Sequence, residues 1–84
     1  MNEATLLDLH RLYVTNAFGS EDAYRLHYGA KCKTHKHIDA GRYLLKKAEE
    51  RGLIVRHDRM RYVLTEAGKV WCGLVAAPTN VANT

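Results

Sequence analysis

Apolar residues in the first part of the chain recur with the period of an α-helix. The stretch over 5–14 places apolar side chains at i, i+3 and i+7, and these are Leu6, Leu9 and Tyr13. Such spacing gives a helix one apolar face that can pack against a core. We therefore predict a first helix over 5–14, which loses its periodicity before Gly19.

A second, shorter helix is predicted over 21–28. Ser20 has the side chain of a good N-cap, and the two acids that follow it would lie where the helix dipole favours negative charge. Ala23 and Leu26 are the residues that this helix is expected to bury. Gly29 can adopt the positive φ with which many helices end.

A third helix is predicted over 35–51, with Thr34 as its cap and Gly52 just after its end. Its apolar stripe consists of Ile38, Gly41, Leu45 and Ala48. A glycine inside a helix costs about 0.5–1 kcal/mol relative to alanine. Gly41 therefore predicts that another helix approaches closely at this point.

The pattern then changes to the short β-branched and aromatic runs that are typical of strands. The runs 53–55 and 62–64 are joined by six residues, most of them charged, which predicts a hairpin with a polar tip. In this hairpin one side is expected to carry Leu53, Val55, Tyr62 and Leu64. Thr65 is then expected to cap a last helix over 66–76.

Composition indicates one small domain, because 84 residues leave no room for a second core. The hydrophobic fraction of 46% is too high for a disordered chain. No apolar run approaches the roughly 18–20 residues of a membrane-spanning helix, and the N-terminus lacks the lysines of a signal peptide. Two cysteines are too few for a disulfide scaffold. We therefore expect a cytoplasmic protein.

The net charge of +4 is unevenly spread. Residues 31–61 carry ten of the thirteen Lys and Arg residues against four acids, a net charge of +6, whereas residues 1–30 carry two cations against four acids. A cationic block of this kind is suited to a polyanion such as DNA. A solvated face kept for solubility would have the same composition.

Three helices followed by a charged hairpin is the layout of a winged helix-turn-helix domain. The segment LLKKAEERGLI at 44–54 and the segment YVLTEAGK at 62–69 carry the similarity. Over 34–69 the chain resembles the recognition helix, wing and following helix of MarR-like and related bacterial regulators. The resemblance implies an α+β fold with a three-helix core, a two-stranded β-hairpin wing and a C-terminal helix, in one domain over 1–77. The tail 78–84 is expected to be disordered.

The resemblance and the charge together predict a sequence-specific regulator that binds double-stranded DNA. Helix 35–51 would enter the major groove, and the wing at 55–62 would follow the backbone or the minor groove. Within the helix, Arg42 could read guanine bidentately, and Lys46 and Lys47 are better suited to phosphates. The residues expected to contact DNA are Lys33, Thr34, His35, Lys36, His37, Arg42, Tyr43, Lys46, Lys47, Arg56, Arg59 and Arg61.

The resembled family often dimerises through its terminal helix, which implies a homodimer seam at Val70, Trp71, Leu74 and Val75 and a palindromic site. An origin in a phage, plasmid or other mobile element would suit such a bare domain, acting in the bacterial cytoplasm at the nucleoid.

Three other interpretations remain open on the residues alone. The same basic face could dock an inhibitor or adaptor of this fold on an acidic protein surface, or it could bind RNA. Cys32, His35 and His37, with His27 upstream, are zinc-type ligands, but their spacing matches no common finger and polar residues at a DNA-facing helix start explain them better. No catalytic motif is present, so we expect neither an enzyme nor a cofactor.

Overall fold

The computed structural model of the protein describes residues 1–76 and shows an α+β chain with four helices and one antiparallel hairpin, an arrangement compatible with a winged helix. In chain order the elements are α1 (Glu3–Leu12), α2 (Ser20–Tyr28), α3 (His35–Glu50), β1 (Ile54–Arg56), β2 (Tyr62–Leu64) and α4 (Glu66–Trp71). None of these helices is both long and apolar enough to cross a bilayer. The tail predicted at 78–84 lies outside the described residues.

Side-chain caps decide where α1 and α2 begin. The Asn2 Oδ1 atom accepts from the Thr5 backbone N–H at 2.8 Å, so α1 starts two residues before the predicted position. At α2, the carboxylate of Asp22 accepts from the Gly19 N–H at 2.9 Å. Gly19 is therefore the N-cap, and Ser20 is the first helical residue instead of the predicted cap.

The first helix ends at Leu12, before the predicted Val14. Tyr13 leaves the helix in an extended conformation, and its hydroxyl donates to the Asp22 carboxylate at 2.8 Å. This hydrogen bond keeps the ring at the surface, so the apolar face of α1 consists of Leu6 and Leu9, both fully buried.

The third helix is capped by Thr34 as predicted, and it ends in a Schellman motif. The Thr34 hydroxyl accepts from the His37 N–H, and at the other end Gly52 has a φ of 75°. The Gly52 and Leu53 N–H groups donate to carbonyls of the last turn at 2.9 and 3.0 Å. The glycine predicted to end this helix is thus confirmed.

The hairpin exists where the runs predicted it, and Tyr62 and Leu64 share one side as predicted, but the prediction that Val55 lies on that side is wrong. Ile54 pairs with Leu64, and both are buried, whereas Val55 pairs with Val63 and is 49% exposed. Leu53 is buried because it belongs to the Schellman turn and not to the strand. The alternation of a strand therefore starts one residue later than the apolar run does.

A single residue ties the hairpin to the helices. Phe18, fully buried between α1 and α2 along the chain, forms an antiparallel bridge with Tyr62. The Phe18 N–H donates to the Tyr62 carbonyl at 3.0 Å, and the Tyr62 N–H donates back at 2.8 Å. The hairpin is therefore held on the core by backbone bonds as well as by its buried side chains.

The last helix is shorter than the predicted 66–76. Thr65 caps it as expected, but α4 ends at Trp71, because Gly73 adopts a φ of 80° and a second Schellman motif stops the helix. Leu74 and Val75 consequently follow the helix instead of extending its apolar face.

The core lies between α1, α3 and the hairpin. Its buried members include Leu6, Leu9, Phe18, Ala23, Leu44, Leu45, Ala48, Leu53, Ile54, Leu64 and Cys72. Gly41 is the point where α2 and α3 meet most closely, since a Cβ atom there would collide with the Ser20 carbonyl. The close approach predicted from this glycine is confirmed.

Replacing Gly41 with alanine is expected to lower the free energy of unfolding. A solvent-facing helical glycine would gain about 1 kcal/mol from this change, but here the added methyl group must push α2 off α3, and overpacking costs about 1–3 kcal/mol. Urea unfolding followed by circular dichroism measures the difference. A variant more stable than the wild type would show that the two helices do not touch at this position.

His10 makes stability depend on pH. Burial lowers its pKa from the ordinary 6.5, the cations Lys69 and Arg11 lower it further, and its buried Nδ1 atom has no hydrogen-bond partner within residues 1–76. Below pH 6.5 the unfolded chain binds the proton more readily than the folded one, so stability falls as the pH falls toward the folded pKa. We expect His10→Leu to flatten the profile between pH 5 and 7. Unfolding curves across that range test this, and an unchanged slope would contradict it.

Candidate nucleic-acid interface

The solvent side of α3 presents most of the cations predicted from the sequence. Lys36, Arg42, Tyr43 and Lys46 are all exposed, with the Tyr43 ring 60% accessible. The opposite side of the helix packs on the core through Leu44, Leu45 and Ala48. The spacing of the buried positions thus turns the basic residues outward.

The N-terminal end of α3 divides the predicted residues into two groups. Lys33 and His35 are exposed beside the free N–H groups of the first turn. His37 instead faces α2, where its ring stacks on Tyr24 with centroids 4.5 Å apart and its Nδ1 atom accepts from the Lys33 N–H at 3.0 Å. The Thr34 hydroxyl is occupied by its capping bond.

The first turn of α3 runs against the helix dipole. The first turns of α1, α2 and α4 each contain an acid, as the dipole favours, but the first turn of α3 contains none and carries Lys36 between two histidines. The last turn is mixed, because Lys47 lies there with Glu49 and Glu50. Among the four described helices α3 alone lacks the stabilising acid at its N-terminal end, where its free N–H groups also point.

Lys47 lies on the other flank of α3, away from the hairpin. Its Nζ atom is 3.9 Å from the Glu50 carboxylate and 5.4 Å from the centre of the Tyr43 ring. Together with Trp71 and Arg51 it borders a small depression next to α4. It is therefore separated from Arg42 and Lys46, which the sequence had grouped with it.

The tip of the hairpin is fixed by one carboxylate. Asp58 Oδ1 accepts from the Met60 and Arg61 N–H groups, both at 3.0 Å, and Oδ2 lies 2.8 Å from the Arg61 guanidinium. The Met60 N–H contributes most to holding the pKa of Asp58 below its usual value, and the Arg61 side chain adds to the effect. The turn is thus closed by ionised Asp58.

The other two arginines of the hairpin, Arg56 and Arg59, differ in whether their side chains are held by contacts within the chain. The Arg56 guanidinium donates to the Arg59 carbonyl at 3.2 Å and to the Tyr62 hydroxyl at 2.9 Å, and it lies over the Tyr62 ring. Arg59 is exposed, and its side chain has no ion pair within residues 1–76. One arginine is therefore preorganised, and its neighbour is free to reach a partner.

An open groove of about 1180 Å³ separates α3 from the hairpin. The Phe18–Tyr62 bridge creates it by holding the hairpin beside the loop that joins α1 and α2. Among its lining residues are five cations predicted from the sequence, namely Arg42, Lys46, Arg56, Arg59 and Arg61, and three acids, namely Glu21, Asp22 and Glu49. The approach of these cations across the groove is what unites the helix and the wing as one surface.

The groove also contains residues that the sequence did not single out. Val14 is completely exposed, Met60 is 67% exposed, and Tyr13 and Ile38 also line the groove. An exposed valine just beyond a helix end and a methionine between two arginines were the available signals. Apolar side chains therefore share this concave region with the charged ones.

The residues predicted for a dimer seam lie on and just after α4. Val70, Trp71 and Leu74 are half-buried, and the last two pack against the core. The Arg51 guanidinium lies 4.8 Å from the centre of a Trp71 ring. Part of the apolar surface predicted for a partner thus already packs within the chain.

The zinc-type residues do not form a cluster. Within residues 1–76 no three His, Cys, Asp or Glu side chains converge on a point that could hold a metal ion. Cys32 is half-buried, and His37 is engaged with Tyr24 and the Lys33 backbone.

The chain was compared with protein-family models, curated proteins and solved structures, and it matches none of them.

Replacing Asp58 with alanine is expected to speed amide hydrogen exchange at Met60 and Arg61, because both N–H groups lose their acceptor. Arg61→Ala serves as the matched control, since it removes the ion pair but leaves the acceptor. Exchange measured by NMR should therefore accelerate more in Asp58→Ala than in Arg61→Ala. Equal acceleration would mean that the ion pair, and not the backbone bonds, closes the turn.

Proposed function

We propose that the protein is a small duplex-DNA-binding protein of the winged-helix type that acts as a transcriptional regulator. In this proposal α3 enters the major groove with its N-terminal half, and the hairpin follows the backbone or the minor groove. The exposed cations of α3 and the wing arginines would supply the phosphate contacts.

The first turn of α3, which has Lys36 and no acid, carries the proposal. A cation in the first turn is worth about 0.3–1 kcal/mol less to the helix than an acid would be at low ionic strength, and the other three helices follow the favourable rule. Lys36 at this end of the helix becomes stabilising only when an anion binds beside it. Phosphate groups are the anions that a row of cations and free N–H groups fits best.

The distribution of charge along α3 supports the orientation. Lys33 and Lys36 lie at the N-terminal end, where the first turn has no acid, whereas the C-terminal half carries Lys46 and Lys47 together with Glu49 and Glu50. Duplex DNA would therefore meet the helix end-on or obliquely, with its backbone toward the groove and the wing. Each neutralised phosphate steepens by about 0.9 the slope of log K against log salt concentration, which we call the salt slope.

The decisive experiment reverses one charge. Lys36→Glu should raise the free energy of unfolding by about 0.5–1 kcal/mol, since an acid then lies in the first turn. The same change should weaken duplex binding at least tenfold and reduce the salt slope by about 1. Urea unfolding and fluorescence anisotropy with a random-sequence 20-base-pair duplex measure the two quantities.

Arg11→Glu is the matched control, because it makes the same charge change at the other end of a helix. Arg11 is exposed in the last turn of α1, so the dipole predicts a loss of stability. Arg11 does not line the groove, and we therefore expect unchanged DNA affinity. Equal effects of the two variants on binding, or unchanged binding in Lys36→Glu, would overturn the proposal.

One observation favours a second candidate function, an adaptor or inhibitor module that docks on an acidic protein. Val14 and Met60 expose apolar surface inside the groove, and phosphate groups gain nothing from contact with apolar side chains. An acidic segment with apolar side chains would satisfy both the cations and the carbon surface. Failure of the wild-type chain to bind duplex DNA at low salt would favour this second function.

A further inference from the structure

A cluster of aromatic rings lies at the corner between α2 and α3, outside the groove. Tyr24, His27 and Tyr28 are spaced i, i+3 and i+4 on the last turns of α2, so their side chains share one face. The Tyr24 and Tyr28 ring centroids are 4.8 Å apart, and the His27 ring meets Tyr28 edge-on at 4.7 Å. With His37 stacked on Tyr24, four rings form one continuous array.

The corner itself needs only part of this array. The stack of Tyr24 on His37 joins α2 to α3, and both residues are half-buried. His27 and Tyr28 lie beyond that contact and are exposed, with 54% of Tyr28 accessible to solvent. Their rings touch only other members of the array among the aromatic contacts of residues 1–76. The rings of His27 and Tyr28 are therefore accessible to a partner.

Cations follow the array directly in the chain. Gly29 ends α2 with a φ of 68°, and the loop after it carries Lys31 and Lys33, both exposed. Neither lysine has an ion pair within residues 1–76. The Lys33 backbone is bonded to the His37 ring, so the loop is tied to the array at one point.

Open aromatic rings beside unpaired lysines are the combination that binds unpaired bases. Every base has a flat face that stacks on an aromatic ring, and the lysines can follow the phosphates on either side. A duplex offers no such face, since its bases are already stacked on one another. Neither the groove nor the depression beside α4 includes residues of this corner.

We propose that this corner, with Tyr28 at its centre, is a second nucleic-acid site that binds single strands by base stacking. It extends the proposed function to DNA or RNA with an unpaired segment, and it does not require that the duplex contact exist. Lys33 is assigned to both surfaces, so the variants that separate them are made at Tyr28 and at Lys36, each of which belongs to one surface alone.

The test uses the whole chain with two 5′-labelled oligonucleotides, dT12 and rU12, and a blunt duplex, followed by fluorescence anisotropy at low salt. Tyr28→Ala should weaken binding of a single strand about tenfold, which lies within the range of about 1–3 kcal/mol for loss of one stacked base. Tyr28→Phe should retain affinity within twofold, because stacking needs the ring and not the hydroxyl. Duplex affinity should be unchanged in both variants.

Arg11→Ala is the control, since Arg11 is exposed on α1 and belongs to neither proposed surface. It should leave single-strand affinity unchanged. The proposal is overturned if neither oligonucleotide binds the wild-type chain, if the two alanine variants weaken single-strand binding equally, or if Tyr28→Ala loses duplex affinity in parallel. Tyr28-dependent binding of either oligonucleotide supports it, and the ratio of dT12 to rU12 affinity identifies the natural strand. Loss of duplex binding alone in Lys36→Glu concerns only the other surface.

Discussion

The backbone pairing of Phe18 with Tyr62 is the constraint on which the arrangement of the molecule depends. A two-stranded hairpin of three residues per strand has too few bonds to be stable alone. Phe18 is fully buried, and its backbone makes two hydrogen bonds to Tyr62, the residue of β2 nearest the tip. This attachment adds to the packing of Ile54 and Leu64 in fixing where Arg56 lies relative to α3. Phe18 thus belongs to both the core and the sheet, and it holds the hairpin beside the groove.

Stability and charge placement are in conflict at a single place in the fold. Three helices begin with acids and use the dipole to their advantage, and α3 does the opposite. The third helix is nevertheless anchored well, because Leu44 and Leu45 are buried and Gly41 lets α2 approach. Tight packing of one face thus tolerates an unfavourable charge pattern on the other. Sites that violate a local rule while the rest of the fold obeys it are where function is expected.

The two proposed surfaces use different physical properties of nucleic acids. The α3 face and the wing rely on charge, with Lys36 and Arg59 among the cations that are free to meet phosphates. The corner between α2 and α3 relies on flat rings, with Tyr28 outermost. Charge contacts act on the phosphates, whereas stacking acts on the flat faces of unpaired bases. A chain that carries both could hold a duplex and engage an unpaired strand next to it, since the N-terminal end of α3 lies between the two surfaces.

Short-range rules were enough to predict the helices, the capping residue Thr34, the close approach at Gly41 and the outward cations of α3, because spacing and caps act within a few residues. The register of the hairpin was not predictable in this way: whether Ile54 or Val55 faces inward depends on the partner strand and on Leu53 being taken up by the helix end. The early end of α4 had a local signal in Gly73, which the apolar spacing outweighed. Only the tertiary structure decided that the hairpin would be joined to Phe18, that a groove would form, and which cations would share it. Those outcomes depend on contacts between residues far apart in the chain, and no local pattern contains them.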